Sequence, residues 1–241
     1  MKMFLENMIK EQENTAMDLQ IIYEDNKMIV CNKPTGVLAQ SGKSFAVDMV
    51  SALMTYRRKK GEDTFIGVIN RLDRQVSGLM LFAKTKDEAA RLNKLMQQNS
   101  FNKHYYAVVC GKPQDDKGTF VDYLLKDGRS NTSSVVSKDT KDAKRAELEY
   151  QVLESITEAN TGRIITLVRI HLITGRHHQI RVQFAQRGMI LIGDTKYSDA
   201  RSESNEGIAL CAYSLEIAKQ HFEIEPKEAI FAIFKEYKKQ S

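Results

Sequence analysis

Two stretches of this chain concentrate side chains that could carry out a reaction. In Val68-Ile69-Asn70-Arg71-Leu72-Asp73-Arg74-Gln75-Val76-Ser77-Gly78-Leu79, one carboxylate, Asp73, stands between two arginines, Arg71 and Arg74. A guanidinium on each side favours the charged form of an acid. Such a carboxylate is either a structural ion-pair partner or a catalytic nucleophile or base. The second stretch, Leu172-Ile173-Thr174-Gly175-Arg176-His177-His178-Gln179-Ile180-Arg181-Val182-Gln183, turns at a glycine and clusters polar residues where a helix is expected to open. Free backbone N–H groups and the positive end of the helix dipole suit that place to phosphate or carboxylate. Arg176 lies at the turn, and Arg181 shares the expected helix face of His177, so either could reach a phosphate or Asp73. His171, His177 and His178 lack a further ligand or acidic partner at metal-binding spacing, so no metal site is expected. His178 is expected to order the turn by hydrogen bonds.

These residues must be held by elements, and the pattern names them. Leu79 to Ala83 is an apolar run with the length of a buried strand. Before it, Gln20–Tyr23 and Met28–Asn32 read as short strands, and Lys33-Pro34-Thr35-Gly36 turns the chain. A helix is predicted over 46–56, with Ala46, Met49, Val50, Leu53 and Met54 on one face. Thr85-Lys86-Asp87-Glu88 has the form of a capping box opening a second helix, with Ala89, Leu92, Leu95 and Met96 inward. Lys103–Cys110 alternates as a strand, placing Tyr105 on one face and Tyr106 on the other. Residues 111–145 are polar, and loops or a hairpin are expected there. Alternation resumes at Ala146–Val152 and again at Ile164–Leu172. A helix follows over about His177 to Arg187, with Gly188 as its C′ residue, and strands are expected at Met189–Ile192 and Ile208–Ile217. Strands outnumber helices without βαβ alternation, which predicts an α+β domain with a mixed, mainly antiparallel sheet. An arm over residues 1–20, one domain over 21–234 and a basic tail over 235–241 complete the expected organisation.

Composition narrows the function. The 241 residues carry a net charge of +5, with 42% hydrophobic and 28% charged residues, which is ordinary for a globular protein with a modest basic bias. The basic runs Arg57–Lys60 and Lys141–Arg145 read as solvated faces. No apolar run approaches the ~20 residues that span a bilayer, so no membrane partner is expected. The opening residues do not form a signal peptide. Three distant cysteines, Cys31, Cys110 and Cys211, indicate neither a disulfide framework nor a thiolate metal site, and the cytoplasm is the expected location.

Together the two stretches resemble the RluA-type pseudouridine synthases, which isomerise uridine in ribosomal or transfer RNA. That family's signature, close to His-Arg-Leu-Asp-Arg-x-Thr-Ser-Gly-Leu, stands here as Asn70 to Leu79. Its Thr-Gly-Arg-x-His-Gln-Ile-Arg is complete as Thr174 to Arg181. Lys103-His104-Tyr105-Tyr106-Ala107, Asn32-Lys33-Pro34-Thr35-Gly36 and Gly193-Asp194-Thr195-Lys196-Tyr197 are similar to three further motifs, in the family's order. The chain departs from the family at Asn70, Val76, Gln183 and Cys211, where the relatives commonly have His, Thr, His and His.

The resemblance implies a pseudouridine synthase fold with the cleft across its sheet, and a reaction that needs neither cofactor nor metal. It assigns Asp73 as nucleophile or base at the sugar, Arg181 as its charged partner and Tyr105 as the aromatic platform beside the detached uracil. RNA contacts are expected from Arg71, Arg74, Arg176, His178, Lys103 and Lys84. Arg74 is the flipping or phosphate residue, Lys84 closes the strand near the site, and Arg57–Lys60 forms a more distant patch. About twenty residues precede the matching stretch, so specificity is expected from the catalytic domain itself acting on a small stem-loop, and a monomer is expected. The competing readings are a non-catalytic RNA-binding or RNA-folding protein that keeps the fold, and a small-molecule enzyme.

Overall fold

The run from Leu79 to Ala83 becomes the axis of the molecule. In the computed structural model, which describes residues 17–42, 47–98, 101–198 and 207–238, strand β4 (Ser77–Ala83) is buried along its whole length. Leu79, Leu81 and Ala83 enter one hydrophobic cluster, and Met80 and Phe82 enter another on the opposite face. A strand covered on both faces needs apolar residues at every position, and this one has them.

Around it lie β1 (Gln20–Glu24), β2 (Met28–Lys33), β3 (Gly67–Val68), β5 (Phe101–Cys110), β6 (Lys117–Asp127), β7 (Thr132–Val136), β8 (Lys144–Thr157), β9 (Ile164–Leu172), β10 (Leu210–Ile217) and β11 (Gln220–Glu223). They form one sheet in the order β1-β2-β4-β10-β5-β9-β8-β6-β7, with β3 also on β4 and β11 on β10. Every pairing is antiparallel except β4 with β10, which run parallel. The sheet is therefore mixed and mainly antiparallel, as expected.

At the parallel junction Ala212 lies opposite Gly78 on one side and opposite Tyr105 on the other. A Cβ at position 78 would run into the backbone of Ala212, and Gly78 has φ +120°, so only glycine fits this crossing.

The helices are short. α1 (Met49–Lys59) starts at Asp48, whose side chain accepts from Ser51 N while the Ser51 hydroxyl accepts from Asp48 N. It therefore begins three residues later than the pattern suggested, and the expected start at Ala46 lies outside the described residues. α2 (Lys86–Gln97) is capped by Thr85, which accepts from Glu88 N at 3.2 Å. The box is not reciprocal, because the Glu88 carboxylate turns instead to Arg91. α3 (Gln179–Ala185) carries the end of the second polar stretch, and α4 (Ala229–Ala232) and α5 (Lys235–Lys238) follow the last strand.

Several expectations are corrected. Of the two possibilities for residues 111–145, the hairpin is the one that forms, as β6 and β7. Met189–Ile192 forms only an isolated bridge, Val109 to Leu191, and β11 was not anticipated. The end of the chain is not simply a solvated basic tail, since Phe234 and Tyr237 pack into the cluster around Tyr106 and Tyr213. The arm predicted at the start lies almost wholly outside the described residues.

Candidate active site

Asp73 sits in the turn between β3 and β4, where Val76 N donates to Asp73 O at 3.1 Å. Two anchors fix this turn from below. Gly36 N donates to Arg74 O at 2.8 Å, and Arg74 Nε returns a bond to Gly36 O at 2.8 Å. The fully buried Lys33 spends its ammonium on the carbonyls of Pro34, Val37 and Arg74. Burial pushes the Lys33 pKa down to about 8, against the opposing pull of Asp73 and Glu228. Thus Asn-Lys-Pro-Thr-Gly is a clamp on the Asp73 turn, and its lysine contacts backbone.

Across the cleft, α3 delivers Arg181. Its Nη1 donates to Asp73 Oδ2 at 3.0 Å, while Nε and Nη2 grip both oxygens of Asp194 at 2.7 and 2.8 Å. Asp194 is 1% exposed, whereas the Asp73 side chain keeps 32% of its surface open. Burial works against the arginine's charge, but Asp194 and then Asp73 outweigh it and raise the pKa of Arg181. One guanidinium thus joins a buried carboxylate to a partly exposed one in the cleft.

His178 stands beside it. It is the N-cap residue of α3, in the left-handed conformation at φ 53° and without a side-chain capping bond. Its Nε2 is 3.3 Å from Asp73 Oδ2, and its Nδ1 is 2.8 Å from the Tyr197 hydroxyl. His177 therefore lies in the turn ahead of the helix, not on its face, and stacks on His178 with 3.8 Å between ring centroids.

Tyr105 enters the same cleft from β5, while Tyr106 points to the other face and stacks on Tyr213. Burial, then the nearby Asp73 charge, pushes the Tyr105 phenol pKa up, so it keeps its proton at neutral pH. The cleft encloses about 620 Å³ and is lined by Asp73, Tyr105, Arg181 and His178, with Arg71, Arg176 and Lys103 among the remaining walls. Lys103 is held there by β5, and burial lowers its pKa.

Not every expected residue arrives. Lys84 is buried and ion-paired with Glu24 at 2.8 Å and Glu62 at 3.0 Å, so it holds β4 to its surroundings and offers no charge to RNA. Arg57, expected in an exposed patch, is also buried and bonds to Glu62 and to the carbonyls of Phe65 and Lys84. Arg74 is exposed but does not line the cleft.

The departures from the family pattern mostly serve the scaffold. Asn70 bonds both ways to the β4 backbone, to Leu79 O and from Leu81 N. Gln183 is buried against Asp122 and Phe120 O, and Cys211 lies opposite Ser77 at the parallel junction.

A sequence model of RNA pseudouridylate synthase matches residues 27–186, which include both the Asp73 turn and Arg181. The chain belongs to this family. Ribosomal large subunit pseudouridine synthase C of Vibrio vulnificus (strain CMCP6) is 31% identical over 193 residues, 79% of this chain and 57% of its own length. Ribosomal large subunit pseudouridine synthase D of Nitrosomonas europaea (strain ATCC 19718 / CIP 103999 / KCTC 2705 / NBRC 14298) is 30% identical over 215 residues, 86% of this chain and 60% of its own length. The chain thus spans a little over half the length of these relatives. Human RNA Pseudouridylate Synthase Domain Containing 1 superposes with a TM-score of 0.73 at 22% identity, over 89% of this chain and 85% of that one. Human RNA Pseudouridylate Synthase Domain Containing 4 gives 0.70 at 22% identity, over 93% and 94%. These two establish the pseudouridine synthase fold.

Two members of the site, Asp194 and Tyr197, had no role assigned from sequence. Their Gly-Asp-x-x-Tyr motif was visible, but what they touch depends on how the loop after Ile192 folds back on α3.

Proposed function

We propose that this protein is an RNA pseudouridine synthase that isomerises uridine in ribosomal or transfer RNA. The observation that carries the reading is a half-open carboxylate, Asp73, fixed by a buried arginine in a cleft that also holds Tyr105. The reaction breaks the bond from the ribose carbon to uracil N1, forms one to C5, and releases the C5 proton. Its atoms balance without an oxidant or a transferred group. Asp73 acts at the sugar, Arg181 holds its charge in place, and the Tyr105 ring supports the uracil while it turns.

A uridine within folded RNA must leave its stack to reach Asp73, at a cost of a few kcal/mol. Arg71, Arg176 and Lys103 at the cleft wall supply phosphate contacts that offset this. The substrate we propose is a stem-loop engaged by a cytoplasmic monomer. Among the described residues no helix is long and apolar enough to cross a membrane.

The test is tritium release from RNA labelled at uracil C5, comparing wild type with Asp73→Asn on unmodified ribosomal and transfer RNAs. Release that disappears in the variant supports the synthase. Binding without release from any of these RNAs would turn the reading to an RNA-binding protein.

A further inference from the structure

The Tyr197 hydroxyl has two neighbours with different hydrogen-bonding options. Ser133 N lies 2.8 Å away and, as a backbone amide, can only donate. The phenol's own proton is therefore free for its second neighbour, His178 Nδ1, at 2.8 Å. If Nδ1 accepts, a neutral imidazole carries its proton on Nε2, the nitrogen 3.3 Å from Asp73 Oδ2. Arg181 Nη1 thus donates to Oδ2 while the His178 Nε2 edge faces the same oxygen in electrostatic contact, and among the described residues no protein donor engages Oδ1.

From this geometry we infer that Ser133, Tyr197 and His178 form a tautomer lock that presents Asp73 Oδ1 as the reacting oxygen. His178 and Tyr197 are then positioning residues for the proposed synthase reaction, and the inference rests on Asp73 being its carboxylate.

The charged and titratable groups around the imidazole are Asp73 from the β4 turn, Arg181 from α3, the stacked His177, and Lys196 and Tyr197 from the returning loop. Burial takes the His178 pKa down to about 4. Asp73 opposes that fall, while Arg181, His177 and Lys196 add to it. The ring is neutral at physiological pH, so the tautomer is the property that matters.

The experiment is a long-range proton–nitrogen spectrum of protein labelled with ¹⁵N-histidine, with His178 assigned by its loss in His178→Gln. The lock requires a pyridine-type Nδ1 and a protonated Nε2 in the wild type. In Tyr197→Phe, which keeps the ring, this preference is lost. kcat on RNA then falls roughly tenfold while KM stays within about twofold, the scale of one hydrogen bond to a charged group. His178→Gln, whose amide can still donate toward Asp73, retains more activity than His178→Leu. A wild-type ring protonated on Nδ1 would overturn the lock, as would Tyr197→Phe with unchanged tautomer and kcat. Absence of turnover in the wild type on every RNA would sink the synthase reading instead, and the spectrum would still decide the tautomer.

Discussion

Arg181 carries two obligations, and they can be separated. Its removal leaves Asp194 buried without a counter-charge, so Arg181→Met is expected to lose about 3–5 kcal/mol of stability in urea denaturation. The double variant Arg181→Met, Asp194→Leu should recover much of that stability yet release no tritium, because Asp73 still lacks its partner. Lys33 gives a second residue-scale expectation. Its pKa falls from 10.5 to about 8 on folding, so between those values the unfolded chain binds more protons and stability gains with rising pH. Denaturation midpoints at about pH 7 and about pH 10 should shift in favour of wild type relative to Lys33→Met, whose curve lacks this gain. At this scale the sequence was most legible where chemistry is local. The residues singled out Asp73 but left Arg176 and Arg181 both open as its partner. The resemblance pointed to Arg181, which is the one that donates to it, and strand alternation separated Tyr105 from Tyr106. Charge alone misled at Lys84 and Arg57, because nothing in their neighbourhoods reveals that the fold brings Glu24 and Glu62 against them.

The elements position the site through two junctions, the clamp of Lys33–Gly36 on the Asp73 turn and the parallel contact of β4 with β10. Gly78→Ala tests the second. A side chain there meets the Ala212 backbone at a φ that disfavours it, so we expect a loss of several kcal/mol or failure to fold, read by thermal denaturation. By contrast Thr85→Ala, which removes the cap at the end of α2 opposite its cleft-lining Met96, should cost about 1 kcal/mol and leave turnover unchanged. Strands buried on one or both faces were readable because water enforces their pattern. Ile164–Leu172 was placed to the residue, whereas for β6 and β7 the polar sequence left loops and a hairpin both open and gave no strand bounds. Met189–Ile192 shows the converse: it is apolar enough for a strand, but Gly188 and Gly193, both at positive φ, turn the backbone at either end.

For the whole molecule, one sheet runs from β1 to β7 without a break, so the core should open as a unit. Cys31 and Cys211 lie in β2 and β10 at 0% and 1% exposure, and burial pushes both thiols up to about 12. We expect alkylating reagents to modify the half-buried Cys110 first. Cys31 and Cys211 should react together, at a rate that follows global unfolding, as peptide mass spectrometry would show. The fold class was legible from the excess of strands over helices, but the strand order was not, since it depends on contacts between distant segments. That order has a consequence for biosynthesis. The strand seated between the carboxylate turn and the tyrosine strand is β10, which begins at Leu210, well over a hundred residues after Asp73 and about a hundred after Tyr105. Until it arrives the two halves of the sheet have no common edge, and a nascent chain can hold every catalytic side chain and still have no pocket. On the proposed reading, turnover therefore waits on the synthesis of β10, and a polypeptide stalled before that strand is inactive.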